Sequence, residues 1–267
     1  MTLSRSTKVF LALFTALGLA VIYVPLVVVL VNSFNSDRTF GWPPPGFTTE
    51  WWSRAIGNDG AMNAVVTSVK AGLGATALAL VLGTMAALAV QRYRFFGRET
   101  ISLVVLLPIA LPGIVTGIAL NNAFQVFGLS FGLLTVIIGH ATFCIVVVYN
   151  NVLARLRRTA GNVLEASADL GAGTWQTFRL ITFPLMRSAL LAGALLAFAL
   201  SFDEVIVTTF TVGPGTQTLP IWILSNLFRP NQAPIVNAVA AALILLSVVP
   251  VWMAQRLSGD SAGGGRI

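Results

Sequence analysis

Two neighbouring carboxylates lie inside an otherwise apolar stretch of the sequence. Asp203 and Glu204 fall within the run 190–212, and on insertion scales each would cost about 2.5–3.5 kcal/mol if it faced lipid. We therefore expect them to face protein or a water-filled route. Neighbours on a helix point about 100° apart, so we expect one carboxylate on a pathway, where it would attract ammonium groups, and the other at a helix end or against a structural partner. The alternative is that they cap a broken helix or pair with Lys70 or Arg229.

Few other side chains suggest chemistry. Trp51 lies in an outer polar loop, where Thr49 could cap a short helix. It can add cation–π attraction to a cationic solute, although a tryptophan at a membrane interface is usually a belt residue. The single histidine, His140, and the single cysteine, Cys144, are one helical turn apart and are interpreted as packing residues. One residue of each type predicts no metal site and no disulfide. No catalytic residues are expected.

The elements that position these residues follow from composition. The chain has 267 residues, of which 56% are hydrophobic and 9% are charged, and its mean hydropathy is +0.86. So few charges exclude a water-soluble globule. Continuous apolar runs predict an all-α polytopic membrane protein with six transmembrane helices rather than a barrel. The predicted spans are 9–31, 64–90, 101–120, 131–149, 190–212 and 235–254.

Basic residues predict the orientation of these spans. Six spans place both termini on one side, and the face with the basic excess is expected to be cytoplasmic. Topology thus explains the net charge of +7 without nucleic acid. The outer face receives three basic residues, Arg38, Arg54 and Arg229. The inner face receives twelve, which are Arg5, Lys8, Arg92, Arg94, Arg98, Arg155, Arg157, Arg158, Arg179, Arg187, Arg256 and Arg266.

The inner loop 150–188 is expected to form two short helices. The first should end at Leu170, before Gly171, and the second should begin at Thr174 and end before Pro184. The loop is rich in apolar residues, and this pattern is typical of a docking surface. The alternative is a helix pair that rests on lipid headgroups.

This loop resembles the EAA loop of permease subunits of binding-protein-dependent ABC importers. That pattern is Glu-Ala-Ala, three residues, Gly, nine residues, Ile, any residue, Leu-Pro. The chain departs from it at Ser167, where the pattern has Ala, and at Phe183, where it has Leu. Five positions match, Glu165, Ala166, Gly171, Ile181 and Pro184, and Ser167 stands at the sixth.

The resemblance extends along most of the chain to the spermidine/putrescine-type permeases. It includes Ser201-Phe202-Asp203-Glu204 and Gly139-His140-x-Thr142-Phe143-Cys144. It implies the type I importer permease fold, with a coupling helix between spans four and five. The implied division is an N-terminal helix and outer loop (1–62), a permease core (63–255) and a short cytoplasmic tail (256–267).

The resemblance also implies partners. The helix before Gly171 would sit in a cleft of a nucleotide-binding subunit, where Glu165 bonds to a basic residue. The chain has no G-x-x-x-x-G-K-[ST] motif, so no cofactor is expected in it, and ATP and Mg²⁺ should bind to that partner. The expected assembly contains a homologous second permease, two ATP-binding subunits and a periplasmic or extracellular solute-binding protein. Its place is the inner membrane of a bacterium, in contact with lipid.

The implied cargo is a polyamine such as putrescine or spermidine, with Trp51, Asp203 and Glu204 along its route. One departure weakens that assignment, because polyamine permeases often carry an acid where this chain has Gly113. Another small cationic or neutral solute, such as an opine or an amino-acid-like compound, therefore remains open. An ion-driven secondary transporter is a further alternative, although the EAA-like loop would then be unexplained. A membrane-embedded hydrolase ranks last, since its motifs are absent.

Overall fold

The computed structural model describes residues 4–38, 41–93, 95–158, 161–229 and 232–262, and the side chains of 161–162 and 248–262 lie outside that description. Arg94 and Arg266, both counted on the inner face, therefore lie outside the described residues, as does the end of the predicted tail. The chain divides into two compact units, Met1–Met62 with Ile223–Ile267 and Asn63–Trp222.

The first unit contains a long apolar helix and a short helix from the outer loop. α1 (Arg5–Asn32) is N-capped by Ser4, whose hydroxyl accepts from the Thr7 N–H. In the outer loop, α2 (Glu50–Ile56) forms where a short helix was predicted. The first unit also contains α12 (Ala233–Ala262), which contacts both α1 and α2.

The second unit is built on small residues that let long helices approach closely. It includes most of α3 (Asp59–Arg92), α6 (Leu133–Arg157) and α9 (Phe183–Phe202), and α6 and α9 contact each other extensively. Van der Waals packing drives association between membrane helices, so small side chains in these interfaces bring backbones together. The buried core contains Ala75, Ala79, Ala87, Val90, Cys144, Val148, Tyr149, Val152, Leu153, Leu156, Met186 and Ala197.

The third predicted span is bent rather than straight. It consists of α4 (Arg98–Ala110) and α5 (Gly113–Val126), whose axes differ by 106°. The cause lies in Leu111 and Pro112, because a proline lacks an N–H and drives the preceding residue to extended backbone. Leu111 accordingly has φ −81° and ψ 144°.

The fifth predicted span, 190–212, is also interrupted. α9 ends at Phe202, residues 203–205 are not helical, and α10 (Ile206–Thr211) follows. We refer to residues 203–205 as the helix break. The remaining helix, α11 (Leu219–Leu227), is tied to α3 by the Leu219 N–H, which donates to the Ser68 hydroxyl at 2.8 Å.

The inner loop holds one short helix and the start of a long one. α7 (Gly161–Asp169) is followed by a turn, and then α8 (Thr174–Thr177), a π-helical turn (Phe178–Thr182) and α9 run on as one helix, Thr174–Phe202. The prediction that the second inner helix ends before Pro184 is wrong. The missing N–H of Pro184 interrupts the regular hydrogen-bond ladder, and the wider π-helical turn before it lets the helix continue.

Among the described residues, four helices are long and apolar enough to cross a membrane, or five if α4 and α5 count as one bent span. These helices lie in the first five predicted spans, and they cover the fifth, 190–212, only as far as Phe202. The sixth, 235–254, lies in α12, where the fully described apolar part is the shorter stretch Ala233–Ser247.

Candidate functional site

The inner segment, residues 161–184, presents an exposed surface with both charge and apolar area. Glu165 and Ala166 are exposed on α7, and the Glu165 carboxylate has no hydrogen-bond or ion-pair partner among the described residues. The Trp175 ring stacks on Phe178 with centroids 5.6 Å apart. The large exposed apolar side chains of the segment are Val163, Leu164, Leu170, Trp175, Leu180 and Phe183.

Ser167 does not belong to that exposed surface. Its side chain is buried, and its hydroxyl lies 2.9 Å from that of Thr177, which is also buried. This hydrogen bond joins α7 to α8 across the turn between them. The serine that departs from the EAA pattern therefore fixes the two helices relative to each other.

Gly171 shapes the turn after α7. Its φ is +77°, a left-handed conformation that costs other residues about 1–2 kcal/mol. The Gly171 N–H donates to the Ala168 carbonyl at 2.9 Å, and the Ala172 N–H donates to the Ser167 carbonyl at 3.1 Å. This pair of bonds is a Schellman motif, which satisfies carbonyls left free at a helix end.

Ile181 and Pro184 lie further along, where the inner segment becomes α9. Ile181 is half-buried in the π-helical turn, and Pro184 is the second residue of α9. The end of α6 also contacts this region, since the Arg155 Nε donates to the Leu185 carbonyl at 2.8 Å. The start of α9 is thus anchored to the last turn of α6.

Asp203 and Glu204 are used differently at the helix break. Asp203 ends α9 through its N–H, which donates to the Ala199 carbonyl. Its side chain is exposed and has no hydrogen-bond or salt-bridge partner in the described part of the chain. The Glu204 carboxylate accepts from the Val207 N–H at 2.8 Å, and so caps α10. One carboxylate therefore stabilises a helix end, and the other remains available.

The bend between α4 and α5 lies beside the helix break. A Cβ on Gly113 would stand 3.4–3.5 Å from Ile206, the first residue of α10. The Asn121 amide donates to the Phe210 carbonyl at 2.7 Å, which fastens α5 to α10. Gly113, where an acid would be expected in a polyamine permease, therefore packs against the residue that directly follows the helix break.

His140 was interpreted as a packing residue, but both of its ring nitrogens also make hydrogen bonds. Its ring is fully buried on α6, with Nδ1 2.7 Å from the Ser201 hydroxyl and Nε2 2.8 Å from the Thr208 hydroxyl. Ser201 precedes the helix break and Thr208 follows it. One feature of the sequence could have indicated these hydrogen bonds, because a buried imidazole in an apolar helix needs polar partners for both of its nitrogens.

Trp51 belongs to the first unit, whereas Asp203 and Glu204 belong to the second. Its side chain is 3% exposed, and its indole N–H donates to the Asn35 carbonyl at 2.8 Å. The guanidinium carbons of Arg54 and Arg38 lie 5.2 and 5.7 Å from its ring centroid. The cation–π capacity predicted for Trp51 is therefore engaged by the chain's own arginines.

No three His, Cys, Asp or Glu residues come together as a possible metal site in the part of the chain that the structure describes. The prominent features are instead an exposed inner surface and a charged helix break, joined by one helix. The apolar helices that carry them have the length and composition of membrane spans.

The chain belongs to the family described as "Binding-protein-dependent transport system inner membrane component", whose model matches residues 79–260. It is therefore a transport subunit of the inner membrane. This confirms the family suggested by the EAA-like loop.

Two similar proteins are transport permeases of Escherichia coli strain K12. The spermidine/putrescine transport system permease protein PotC is 36% identical over 245 residues, which cover 92% of each chain. The putrescine transport system permease protein PotI is 33% identical over 236 residues, which cover 85% of this chain and 83% of the relative.

A solved structure supports the fold. A chain from the crystal structure of a bacterial ABC transporter involved in the import of the acidic polysaccharide alginate matches with a TM-score of 0.73. The match covers 97% of this chain and 99% of that one at 15% sequence identity. The predicted type I importer permease fold is confirmed.

Proposed function

We propose that the chain is the membrane-spanning subunit of an ATP-driven ABC importer that carries a polyamine such as putrescine or spermidine. Two relatives named as polyamine permeases support the cargo. The observation that carries the mechanism is the single helix Thr174–Phe202. It joins the exposed inner segment to the carboxylates at the helix break.

The inner segment is the proposed contact with a nucleotide-binding subunit. Glu165 is exposed and unpartnered in the described chain, so a basic residue of that subunit can bond to it, and Ala166 permits close approach. Stacked Trp175 and exposed Leu170 supply apolar contact area beside the charge. Four further positions act through the shape of the segment, because they fix the turn after α7 and the entry into α9. These positions are Ser167, Gly171, Ile181 and Pro184.

The long helix is the proposed route of coupling. A helix of 29 residues extends roughly 44 Å at 1.5 Å per residue, which exceeds the hydrocarbon thickness of a bilayer. A displacement of α8 at its inner end would shift Asp203 at its other end, because packed helices move as rigid bodies. ATP hydrolysis outside the membrane would thereby open or close a route at the helix break.

Asp203 is the proposed solute-facing carboxylate. It is exposed and has no partner in the described residues. The Glu204 carboxylate instead caps α10, so it would act on a cation mainly through its charge. For Trp51 to contact a cationic cargo, its ring would first have to separate from Arg54 and Arg38. A carboxylate without a partner suits an ammonium group, which supports a cationic cargo.

The proposed assembly contains a homologous second permease, two ATP-binding subunits that hold ATP and Mg²⁺, and a periplasmic or extracellular solute-binding protein. Both termini of this chain would be cytoplasmic in a bacterial inner membrane, because the inner face receives most of the basic residues. The permease core would be residues 63–255, flanked by an N-terminal helix with its outer loop and by a short tail.

A charge-selective defect tests the cargo. Asp203→Asn keeps the size of the side chain and removes its charge, so uptake of putrescine should fall more than uptake of neutral diacetylputrescine. We expect the ratio of the two rates to fall about tenfold, as for the loss of a charge-assisted hydrogen bond of about 1.5 kcal/mol. Uptake would be measured in proteoliposomes with the complete transporter and its solute-binding protein. Equal slowing of both solutes would refute a carboxylate-lined cation route.

The alternatives make different predictions in the same assay. Another small cationic solute, such as an amino-acid-like compound, would outcompete putrescine in a solute panel and still respond to Asp203→Asn. A neutral solute would be insensitive to that substitution. An ion-driven secondary transporter would carry solute without ATP and would purify without an ATPase.

A further inference from the structure

One buried ring bridges the two ends of the helix break. His140 on α6 contacts Ser201 in the last turn of α9 through Nδ1, at 2.7 Å, and Thr208 in α10 through Nε2, at 2.8 Å. The two hydroxyls are seven positions apart in sequence and lie on opposite sides of residues 203–205. The ring therefore holds α9 and α10 together where the backbone ladder is interrupted.

The direction of these hydrogen bonds follows from the number of protons on a hydroxyl. The Thr208 hydroxyl donates its one proton to the Glu204 carbonyl at 2.8 Å, and must then accept from His140. Nε2 of His140 therefore carries a hydrogen. In a neutral ring Nδ1 is then an acceptor, and the Ser201 hydroxyl donates to it. The chain of bonds runs from Ser201 through His140 and Thr208 to Glu204.

We propose that His140, held as its neutral Nε2–H tautomer, is the positioning residue that sets the geometry of the helix break. By fixing the Glu204 carbonyl and both flanking helices, it determines where the Asp203 side chain stands. The part of this inference that concerns transport rests on the proposed role of Asp203. The tautomer rests on the hydrogen-bond geometry alone.

Thr208 and Thr209 provide a matched pair for separating positioning from ordinary helix stability. Both hydroxyls donate at 2.8 Å to the carbonyl four residues earlier, that of Glu204 for Thr208 and that of Val205 for Thr209. Only Thr208 also contacts His140. Valine has nearly the shape of threonine without its hydroxyl, so Thr208→Val breaks the chain of bonds and Thr209→Val leaves it intact.

The tautomer can be observed directly because the chain contains one histidine. The protein would carry an affinity tag without histidine and ¹⁵N-labelled imidazole, and its ring nitrogens would be observed by NMR in lipid. We expect a protonated Nε2 and an unprotonated, hydrogen-bonded Nδ1, with the Nε2 resonance shifted in Thr208→Val and unchanged in Thr209→Val. Observation of the Nδ1–H tautomer, or of a doubly protonated ring, would overturn the assignment.

The transport readout is the ratio of putrescine uptake to diacetylputrescine uptake by the complete transporter. Loss of a buried hydrogen bond changes an equilibrium by about 2- to 10-fold, so Thr208→Val should lower this ratio by that factor. Thr208→Ser, which keeps the hydroxyl, should restore it, and Thr209→Val should leave it unchanged. A general loss of stability would lower both rates together and leave the ratio intact.

Asp203→Asn, measured in parallel, separates the two proposals. If Asp203→Asn lowers the ratio and Thr208→Val does not, the positioning role of His140 is wrong while the cation route stands. If Asp203→Asn leaves the ratio unchanged, the cation route is wrong and the transport part of the His140 inference fails with it. The NMR result tests the tautomer in either case.

Discussion

The inner segment and the helix break flank the same helix, α9, and they differ in whether a carboxylate takes part in the internal contacts. On the inner segment, Glu165 is exposed and has no partner in the described chain, while the interior contact is made by neutral Ser167 and Thr177. At the break, Glu204 and the neutral polar groups of Ser201, His140 and Thr208 bond to one another. Among the described carboxylates at the break, Asp203 is the one left exposed and without a partner.

This difference separates residues that hold a shape from residues that meet another molecule. In each region an internal hydrogen-bond network fixes the backbone, and exposed carboxylates stand outside it, Glu165 and Asp169 in the inner segment and Asp203 at the break. We infer that Glu165 and Asp203 are the two carboxylates that act on other molecules, namely the ATPase subunit and the cargo. Substitutions in the internal networks should alter geometry and stability, whereas Glu165 and Asp203 should alter function with little effect on folding.

The largest effect on uptake is expected for a substitution that changes the backbone shape of the inner segment. Gly171→Pro cannot adopt the φ of +77° because proline holds φ near −65°, and it also removes the N–H that donates to Ala168. We expect loss of uptake while the protein still inserts into the membrane. Uptake in proteoliposomes and the yield in the membrane fraction would be measured together.

Gly171→Asn is the control for that experiment, since asparagine tolerates left-handed backbone better than other residues with a side chain. It should retain most of the uptake. Full activity of Gly171→Pro would show that the turn has no part in coupling.

An intermediate effect is expected from an added charge beside the helix break. Gly113→Asp has room, because its Cβ would meet Ile206 at ordinary contact distance, and an acid suits the N-terminus of α5. Spermidine carries more ammonium groups than putrescine, so the ratio of spermidine to putrescine uptake should rise. The expected rise is about two- to fivefold, as for one partly solvated ion pair.

Gly113→Asn has the same size as Gly113→Asp and no charge, and it should leave the ratio of the two uptake rates unchanged. An equal response of the two variants would mean that the bend at Leu111 and Pro112 does not face the cargo.

The smallest effect is expected within the interior contact of the inner segment. Ser167→Ala removes the hydrogen bond to Thr177, which is worth about 1 kcal/mol, and should lower the melting temperature by about 2–4 °C. Uptake should change little, because the exposed surface remains. The double variant Ser167→Ala/Thr177→Val should cost less stability than the sum of the two single variants. Strict additivity would show that the bond contributes nothing.

Sequence reasoning succeeded where the signal is local. The turn at Gly171, the short helix at Glu50 and the apolar spans follow from residues within a few positions of one another. The bend at Pro112 had an equally local signal, yet the apolar run around it favoured a straight span. The continuation of the inner helix through Pro184 was missed because a π-helical turn has no clear sequence signature.

The arrangement at the helix break could not be read from the sequence. His140 is 61 and 68 positions away from its partners Ser201 and Thr208, and only the packing of α6 against α9 and α10 brings them together. The sequence predicted that one of Asp203 and Glu204 would face a pathway and the other a helix end or a structural partner. It could not tell which carboxylate has which role, because that depends on the backbone path through residues 203–205.

A comparison of Glu165→Gln with Asp169→Asn tests most directly whether the inner segment receives the ATPase subunit. Both variants remove one exposed carboxylate of α7 and keep the size of the side chain. The measurement is ATP hydrolysis by the complete transporter, stimulated by its solute-bound binding protein. We predict that Glu165→Gln lowers the stimulated rate about tenfold or more, as for the loss of a charge-assisted hydrogen bond, while Asp169→Asn stays near the unmodified rate. Equal, undiminished stimulation in both variants would contradict the account.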